Sequence, residues 1–279
     1  MSEAENADAG GQARNLRVRR AVLGGVAVVL LVAALTGGAL ALAARRGGHR
    51  SSVVPHQTPK VTSVPAPTAT TVDRGGSLVA EVQGSLIQIF DDPSAPGPSK
   101  TLPNPWLLNG DATKPVKQVF LVERVRDDWI QVLLPERPNG STGWVRAHDV
   151  AVTHDPNHIE VSRSGHRITV FNGAQIIYQG PVATGAPATP TPTGTYYIRV
   201  LLQTLDPTSV YGPFAYGLSA HSDVLTQFAG GDAEVGIHGN NDASVLGTSV
   251  THGCVRMDNT AITMLSKTLP LGTPVVITG

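Results

Sequence analysis

The chain of 279 residues has one cysteine, Cys254, and is poor in aromatic and charged residues. A single cysteine excludes an internal disulfide and a zinc site built from several thiolates, so Cys254 is a lone thiol. Charged residues make up 15% of the chain, with 21 Lys and Arg against 21 Asp and Glu. Because contacts with nucleic-acid phosphates require clustered positive charge, a net charge of zero argues against nucleic acid as a partner.

One long segment near the N-terminus is free of charge. Residues 21–44 contain no Asp, Glu, Lys or Arg, and ~20 apolar residues span a bilayer core as a helix. We therefore predict a transmembrane helix over residues 21–44, which anchors the chain in the cell membrane in a single pass. Four arginines precede this segment and three follow it closely. By this narrow margin, the basic residues 1–20 are cytoplasmic and the rest of the chain is extracytoplasmic.

A cleaved signal peptide is the alternative for the same segment. Small residues between Ala39 and Ala43 fit a cleavage site, but the apolar region of a signal peptide is typically only ~7–15 residues long. The length of the segment therefore favours an uncleaved anchor.

Residues 45–76 are rich in Pro, Ser, Thr and Val and show neither a helical nor an alternating apolar period. Such a segment cannot bury enough apolar surface to offset its ordering entropy. We predict a semi-extended linker that holds the following domains clear of the membrane.

Residues 77–152 contain short apolar runs separated by turn residues, which indicates a small all-β domain. The pattern from Trp129 to Gly143-Trp144-Val145 resembles bacterial SH3-like barrels, which in exported proteins often bind or position cell-wall polymers. The three tryptophans, Trp106, Trp129 and Trp144, are candidates to line a glycan or peptide groove. In a barrel this small, a tryptophan is more often part of the core.

Residues 157–279 carry further strand signals and one convincing helix. Strands are indicated around residues 159–161, 168–171, 175–178, 195–198 and 274–277. The dipeptide Asn172-Gly173 marks a hairpin turn. Asp258 is a candidate N-cap before apolar residues at helical spacing, and Pro270 ends that helix. The predicted fold class is therefore mainly β, with one short helix in the last domain.

Two short motifs contain the candidate reactive residues: Ile237-His238-Gly239 and Thr251-His252-Gly253-Cys254-Val255-Arg256. A thiol is nucleophilic as the thiolate, which a nearby imidazole or cation promotes by lowering the thiol pKa below ~8.5. If residues 235–239 and 250–257 form neighbouring strands, His238 meets Cys254 across the sheet, and His252 shares the face of Cys254. We therefore predict Cys254 as the nucleophile and His238 as its general base.

Other residues near these motifs are candidates for supporting roles. The backbone N–H of Cys254, with that of Gly253, is placed to bind an oxyanion. The planar guanidinium of Arg256 suits a substrate carboxylate, and a salt bridge to Asp258 is its alternative role. Tyr216 and His221 are candidates to border the substrate cleft, and packing or surface positions are their alternatives.

These residues resemble the L,D-transpeptidase catalytic domain of the YkuD type, whose signature is a histidine-glycine pair followed by [S/T]-H-G-C-[I/V]-R. The resemblance covers about 120 residues, including the segment from Thr189 to Tyr196 and the sixteen-residue step from His238 to Cys254. It implies that Cys254 is the nucleophile, that His238 accepts and donates the proton, that His252 and Gly253 line the acyl site, and that Arg256 organises it. Thr251 stands where serine is commoner.

The resemblance implies a peptidoglycan L,D-transpeptidase. In this activity the thiol attacks the third residue of a tetrapeptide stem, expels D-alanine and passes the acyl group to a neighbouring stem, which forms a 3→3 cross-link. It also implies acylation by carbapenems. The alternatives are an L,D-carboxypeptidase acting on the same stems and a non-catalytic, membrane-tethered wall-binding protein.

No metal or organic cofactor is predicted. A zinc site built from His238, His252 and Cys254 is the rival interpretation of the motifs. A fourth ligand is not evident nearby, and the close spacing of His252 and Cys254 would strain tetrahedral geometry around one ion.

Overall fold

The computed structural model describes residues 75–228 and 231–279. These residues lie within one compact unit, Thr62–Gly279. The predicted cytoplasmic segment 1–20, the predicted transmembrane helix 21–44 and nearly all of the predicted linker 45–76 lie outside the described residues. Within the described part of the chain, no helix has the length and apolar character needed to cross a membrane.

The described residues form nineteen strands and one α-helix, which confirms a mainly β fold with one short helix. The first nine strands are β1 (Ser77–Val82), β2 (Leu86–Ile89), β3 (Lys100–Pro103), β4 (Trp106–Leu107), β5 (Pro115–Val116), β6 (Val119–Arg126), β7 (Trp129–Leu133), β8 (Thr142–Arg146) and β9 (Val150–Asp155). The other elements are β10 (Asn157–Ser162), β11 (Arg167–Asn172), β12 (Gln175–Pro181), β13 (Thr184–Gly185), β14 (Gly194–Gln203), β15 (Phe214–His221), β16 (Glu234–His238), β17 (Ser249–Thr251), β18 (Val255–Arg256), α1 (Asn259–Leu265) and β19 (Pro274–Thr278).

The first β region, residues 77–155, is built on a five-stranded sheet in the order β8-β7-β6-β1-β9. Side chains of this sheet and of strand β2 fill a core that includes Ile87, Phe120 and Val132. Two of the tryptophans, Trp129 and Trp144, are buried beside Phe90, whereas Trp106 is only partly buried. The assignment of this region as an SH3-like barrel stays a prediction.

The second β region is an eight-stranded sheet in the order β12-β11-β10-β19-β14-β15-β16-β18. The last strand of the chain, β19, lies in the middle of this sheet, parallel to β10 and antiparallel to β14. The predicted hairpin turn joins β11 to β12, with Gly173 at a positive φ of 57°. The predicted N-cap is confirmed, because the side chain of Asp258 accepts a hydrogen bond from Ala261 N at the start of α1.

The edge of the second sheet brings the two sequence motifs together. Strand β16 lies between β15 and β18, antiparallel to the first and parallel to the second. In the parallel pair His238 lies opposite Arg256, and Ile237 lies opposite Val255. The prediction that residues 235–239 and 250–257 are neighbours is therefore confirmed.

The two β regions contact each other directly. The segment between β7 and β8 in the first region contacts the last residue of β15 and the segment that follows it in the second. Asn139 Nδ2 donates to His221 O at 2.7 Å, while His221 N donates to Asn139 Oδ1 at 2.9 Å. Arg137 donates to the backbone carbonyls of Ser222, Leu225 and Asp232. The first region thus fixes the path of the chain on the way from β15 to β16.

Candidate active site

Cys254 follows a tight turn that the hydroxyl of Thr251 holds together. Thr251 Oγ1 accepts a hydrogen bond from Gly253 N at 3.1 Å and donates one to Cys254 O at 2.6 Å. Gly253 has a φ of +121°, a conformation that residues with a Cβ rarely adopt. The hydroxyl of the buried Thr251 therefore stabilises the turn that precedes the thiol.

The thiol of Cys254 contacts the backbone of β16. Gly236 N donates a hydrogen bond to Cys254 Sγ at 3.4 Å. Burial raises the pKa of the Cys254 thiol, and the hydrogen bond from Gly236 and the charge of Arg256 only partly oppose this effect. The histidine and arginine residues near Cys254 in the sequence predict a thiol pKa below its ordinary value. That prediction is wrong, because desolvation of the sulfur outweighs the electropositive surroundings.

His238 is buried, and its ring is held by the neighbouring backbone. Its Nδ1 lies 2.7 Å from Gly239 O. Since a carbonyl oxygen only accepts hydrogen bonds, Nδ1 carries the proton and Nε2 is left as the basic nitrogen. Burial lowers the pKa of His238 to about 4, the bond to Gly239 opposes this shift, and the charge of Arg256 adds to it. His238 is therefore a neutral imidazole at neutral pH.

Two asparagines fix the backbone that orients His238. Asn259 Oδ1 accepts from Asn240 N at 2.8 Å, and Asn259 Nδ2 donates to Asn240 O at 2.9 Å. Asn240 Nδ2 in turn donates to Met257 O. Gly239 sits so close to this cluster that a Cβ on it would lie 2.3 Å from Asn259 Oδ1. This role of Asn240 and Asn259 was not predicted from the sequence, because their hydrogen-bond partners are distant in the chain.

Cys254 and His238 line the same two cavities. The larger has a volume of about 620 Å³ and extends along β16 towards Glu234 and Trp106. The smaller has a volume of about 50 Å³ and is also lined by Thr251, His252 and Arg256. The nucleophile and the base predicted from the sequence thus lie where the two cavities meet.

Residues 156–277 match the family model of the L,D-transpeptidase catalytic domain, YkuD. This part of the chain, which is less than half of its length, is similar to that catalytic domain. A Bacillus subtilis (strain 168) protein provisionally named L,D-transpeptidase YkuD is 31% identical over 122 residues. That alignment covers 44% of this chain and 66% of the relative, which is just under two thirds of the relative's length.

Two solved structures are similar to this chain. The structure of Bdellovibrio bacteriovorus Bd1075 is 25% identical with a TM-score of 0.36, and the match covers 44% of this chain and 48% of that one. L,D-transpeptidase 3 from Mycobacterium tuberculosis, solved in complex with a faropenem-derived adduct, is 17% identical with a TM-score of 0.37. This second match covers 52% of this chain and 76% of that one.

Two aromatic side chains that were not predicted from the sequence lie near Cys254 and His238. The ring of Tyr211 lies 5.0 Å from that of His238, and the ring of Phe228 stacks on His252 at 5.2 Å. Both aromatic residues line both cavities. They lie in segments without regular apolar patterning, so no sequence signal separated them from ordinary loop residues.

The remaining predicted site residues have different surroundings. His252 is exposed, and Arg256 lines the smaller cavity. Among the described residues no ion pair involves Arg256, and its buried Nε has no hydrogen-bond partner there. The smaller cavity is therefore the place where its charge acts.

Tyr216 and His221, both on β15, have different surroundings. Tyr216 lines the larger cavity, but its hydroxyl donates to Leu265 O at 2.7 Å, which ties it to helix α1. His221 is buried, and its Nε2 lies 3.3 Å from Asp232 Oδ2. His221 is not among the described residues that line the two cavities. The geometry thus brings Tyr216, but not His221, to the cavity wall.

Proposed function

We propose that this protein is a peptidoglycan L,D-transpeptidase that forms 3→3 cross-links through a thioester on Cys254. The observation that carries the proposal is that Cys254 and the neutral imidazole of His238 line the same cavities, with Sγ held by Gly236 N. The match of residues 156–277 to the L,D-transpeptidase catalytic domain supports it.

The first half of the reaction forms the acyl-enzyme. Sγ of Cys254 attacks the carbonyl carbon of the third residue of a tetrapeptide stem, while Nε2 of His238 accepts the thiol proton. The tetrahedral intermediate collapses as its C–N bond breaks. Nε2 gives the proton to the leaving amine, and D-alanine departs. Transfer of the proton during the attack is required because the resting thiol is not ionised.

The second half transfers the acyl group. An amine on the third residue of a neighbouring stem attacks the thioester carbon and loses a proton to Nε2 of His238. The C–S bond breaks, and the thiolate takes the proton back. Because the thioester conserves the energy of one amide, no nucleotide is consumed. If water replaces the amine, the product is a tripeptide, which is the L,D-carboxypeptidase outcome.

The backbone of the thiol turn supplies the oxyanion site in this proposal. Gly253 N is already engaged by Thr251 Oγ1, so the Cys254 N–H takes this role. Gly253 N, which was predicted from the sequence to share in oxyanion binding, is therefore not part of this proposed site. Arg256 at the smaller cavity binds the carboxylate of the departing D-alanine, since a charge-assisted contact orients that end of the donor.

The proposal extends to where the enzyme works and to its inhibitors. We place the catalytic domain outside the cytoplasm, tethered to the cell membrane through residues 21–44, because its polymer substrate lies there. Carbapenems, whose strained lactam carbonyl is attacked in the same way, acylate Cys254.

Mass spectrometry of muropeptides tests the proposed function. The full chain is incubated with disaccharide-tetrapeptide fragments, and the products are separated and sequenced. We expect a dimer linked between two third residues, and we expect Cys254→Ala to form none. A tripeptide alone would assign the carboxypeptidase activity, and an unchanged tetrapeptide would contradict both activities.

A further inference from the structure

The larger cavity has a second end, which is built by both β regions. Its wall away from Cys254 includes a segment of the first region, residues 106–110, which begins with strand β4. The cavity is also lined by Arg199 on β14, by Asp232, which precedes β16, and by Glu234, the first residue of β16. Trp106 is the tryptophan that the core of the first region does not bury. The first region is therefore part of the wall of the catalytic cavity.

The charged groups at this end are arranged so that carboxylates face the cavity. Arg199 Nη1 lies 2.6 Å from Glu234 Oε1, and the guanidinium lies 4.4 Å from the ring centroid of Trp106. The side chain of Arg199 is 12% exposed, against 37% for Glu234. Asp232 is 64% exposed, and its partner Arg137 is 34% exposed and does not line the cavity. The carboxylates of Asp232 and Glu234 are thus more exposed than the guanidinium of Arg199, which also lines the cavity. Together with the Trp106 ring, these two carboxylates suit an ammonium group.

The position of Glu234 on β16 sets the distance of this end from the thiol. Glu234, Gly236 and His238 alternate along one strand and line the cavity from the same face. With a rise of ~3.3 Å per residue, the backbone of Glu234 lies ~7 Å from that of Gly236, whose N–H contacts Cys254 Sγ. An acceptor amine that attacks the thioester must lie at the sulfur itself. Glu234 lies two residues along the strand from the residue that contacts the sulfur, so we assign an ammonium bound there to the acyl donor, at the end of a long side chain.

We propose that Trp106, Asp232 and Glu234 form a subsite for the side-chain ammonium of the acyl donor's third residue. This inference rests on the proposed function, because a 3→3 cross-link requires an amine on the third residue, and every donor of the same kind carries that amine too. Arg199 pairs with Glu234 and contacts the Trp106 ring. The first β region thereby takes part in substrate selection.

Two synthetic donors test the subsite on the full chain. Both are tetrapeptides ending in D-alanine, one with lysine and one with Nε-acetyl-lysine at the third position. The rate of acyl-enzyme formation is measured by intact-protein mass spectrometry. We expect the unmodified protein to prefer the free amine by about tenfold, as befits a hydrogen bond to a charged group. We expect Glu234→Gln to slow the reaction of the free-amine donor more than that of the acetylated donor, so that the preference falls to about twofold or less.

Glu81→Gln is the matched control for the loss of an ion-paired carboxylate. Glu81 is 37% exposed and lies 2.6 Å from Lys117 in the first β region, so it resembles Glu234 in both respects. This variant should keep the full preference. Trp106→Leu should weaken the preference and Trp106→Phe should retain most of it, since an aromatic face persists.

Several results would overturn the inference. Equal rates for the two donors in the unmodified protein would do so, as would an equal loss of both rates in Glu234→Gln, which indicates a merely structural role. An adduct with neither donor would overturn the proposed function itself and the inference with it. These outcomes are distinguishable, because the first two still show the acyl-enzyme.

Discussion

Gly236 N donates a hydrogen bond to Sγ of Cys254 at 3.4 Å. This contact follows from the parallel register of β16 and β18, in which His238 lies opposite Arg256. Cys254 lies two residues before Arg256, and Gly236 lies two residues before His238, so the same register brings Cys254 next to Gly236. The nucleophile and the base are thus placed by strand pairing, which keeps their relative positions rigid.

The pH dependence of acylation should report the buried imidazole. Acyl-enzyme formation requires neutral His238, whose pKa is lowered to about 4. We expect the apparent second-order rate constant for a tetrapeptide donor to be flat from about pH 5 to 8 and to fall tenfold per pH unit below about pH 4. A fall beginning near pH 6.5 would contradict the buried, neutral base.

This measurement needs a check of the folded state. The unfolded chain protonates this histidine from about pH 6.5 downward and the folded chain only near pH 4, so the unfolded state binds more protons between these values. The free energy of unfolding therefore falls as the pH drops from 6.5 to 4. Circular dichroism at each pH separates loss of fold from protonation of the base.

Thr251 should be required for its hydroxyl. Thr251→Val removes both the acceptor for Gly253 N and the donor to Cys254 O from a buried turn, at a cost of about 2 kcal/mol. We expect a clear drop in the midpoint of thermal unfolding and in acylation rate. Thr251→Ser keeps the hydroxyl and should retain most of both. Equal behaviour of the two variants would show that the hydroxyl does not hold the turn.

Gly239 should not tolerate a side chain. A Cβ there would lie 2.3 Å from Asn259 Oδ1 and 3.0 Å from Gly212 Cα, so Gly239→Ala must move the carbonyl that orients His238. We expect acylation to slow by about 100-fold, the usual effect of an ångström-scale misplacement. Gly97→Ala is the control, because a Cβ on Gly97 meets no atom within 4 Å. A normal rate in Gly239→Ala would remove the orienting role of this carbonyl.

Asn139 should stabilise the junction between the two β regions. Asn139→Ala removes the paired hydrogen bonds to the backbone of His221, which should cost about 1–2 kcal/mol. Amide hydrogen exchange should accelerate at His221, which loses its acceptor, while Val170 in the distant strand β11 should be unchanged. Unaltered exchange at His221 would show that the junction does not depend on this residue.

The sequence predicted those features that depend on neighbouring residues. Asp258 caps the helix that follows it, and Gly173 adopts the positive φ that an Asn-Gly turn requires, because both effects act over a few residues. The two motifs predicted that their segments are neighbours. The strand register places His238 opposite Arg256 and not opposite Cys254, where the sequence had predicted it, although His238 and Cys254 line the same cavities.

Features that depend on distant parts of the chain were not predicted. Strand β15 and the segment between β15 and β16 lack a clear apolar period in the sequence. The central place of β19 follows from its pairing with β10, which lies more than 110 residues earlier. The raised pKa of Cys254 and the place of Trp106 in the catalytic cavity both result from burial by other elements. Burial of this kind is a property of the assembled fold, which local patterning does not report.

Intact-protein mass spectrometry followed by peptide mapping tests the central claim most directly. The full chain is mixed with a tetrapeptide donor, quenched in acid and digested. We predict one added tripeptide acyl group on the peptide that contains Cys254, with its formation slowed by at least 100-fold in His238→Ala and abolished in Cys254→Ala. An adduct that persists in Cys254→Ala, or forms at the normal rate in His238→Ala, would contradict the account.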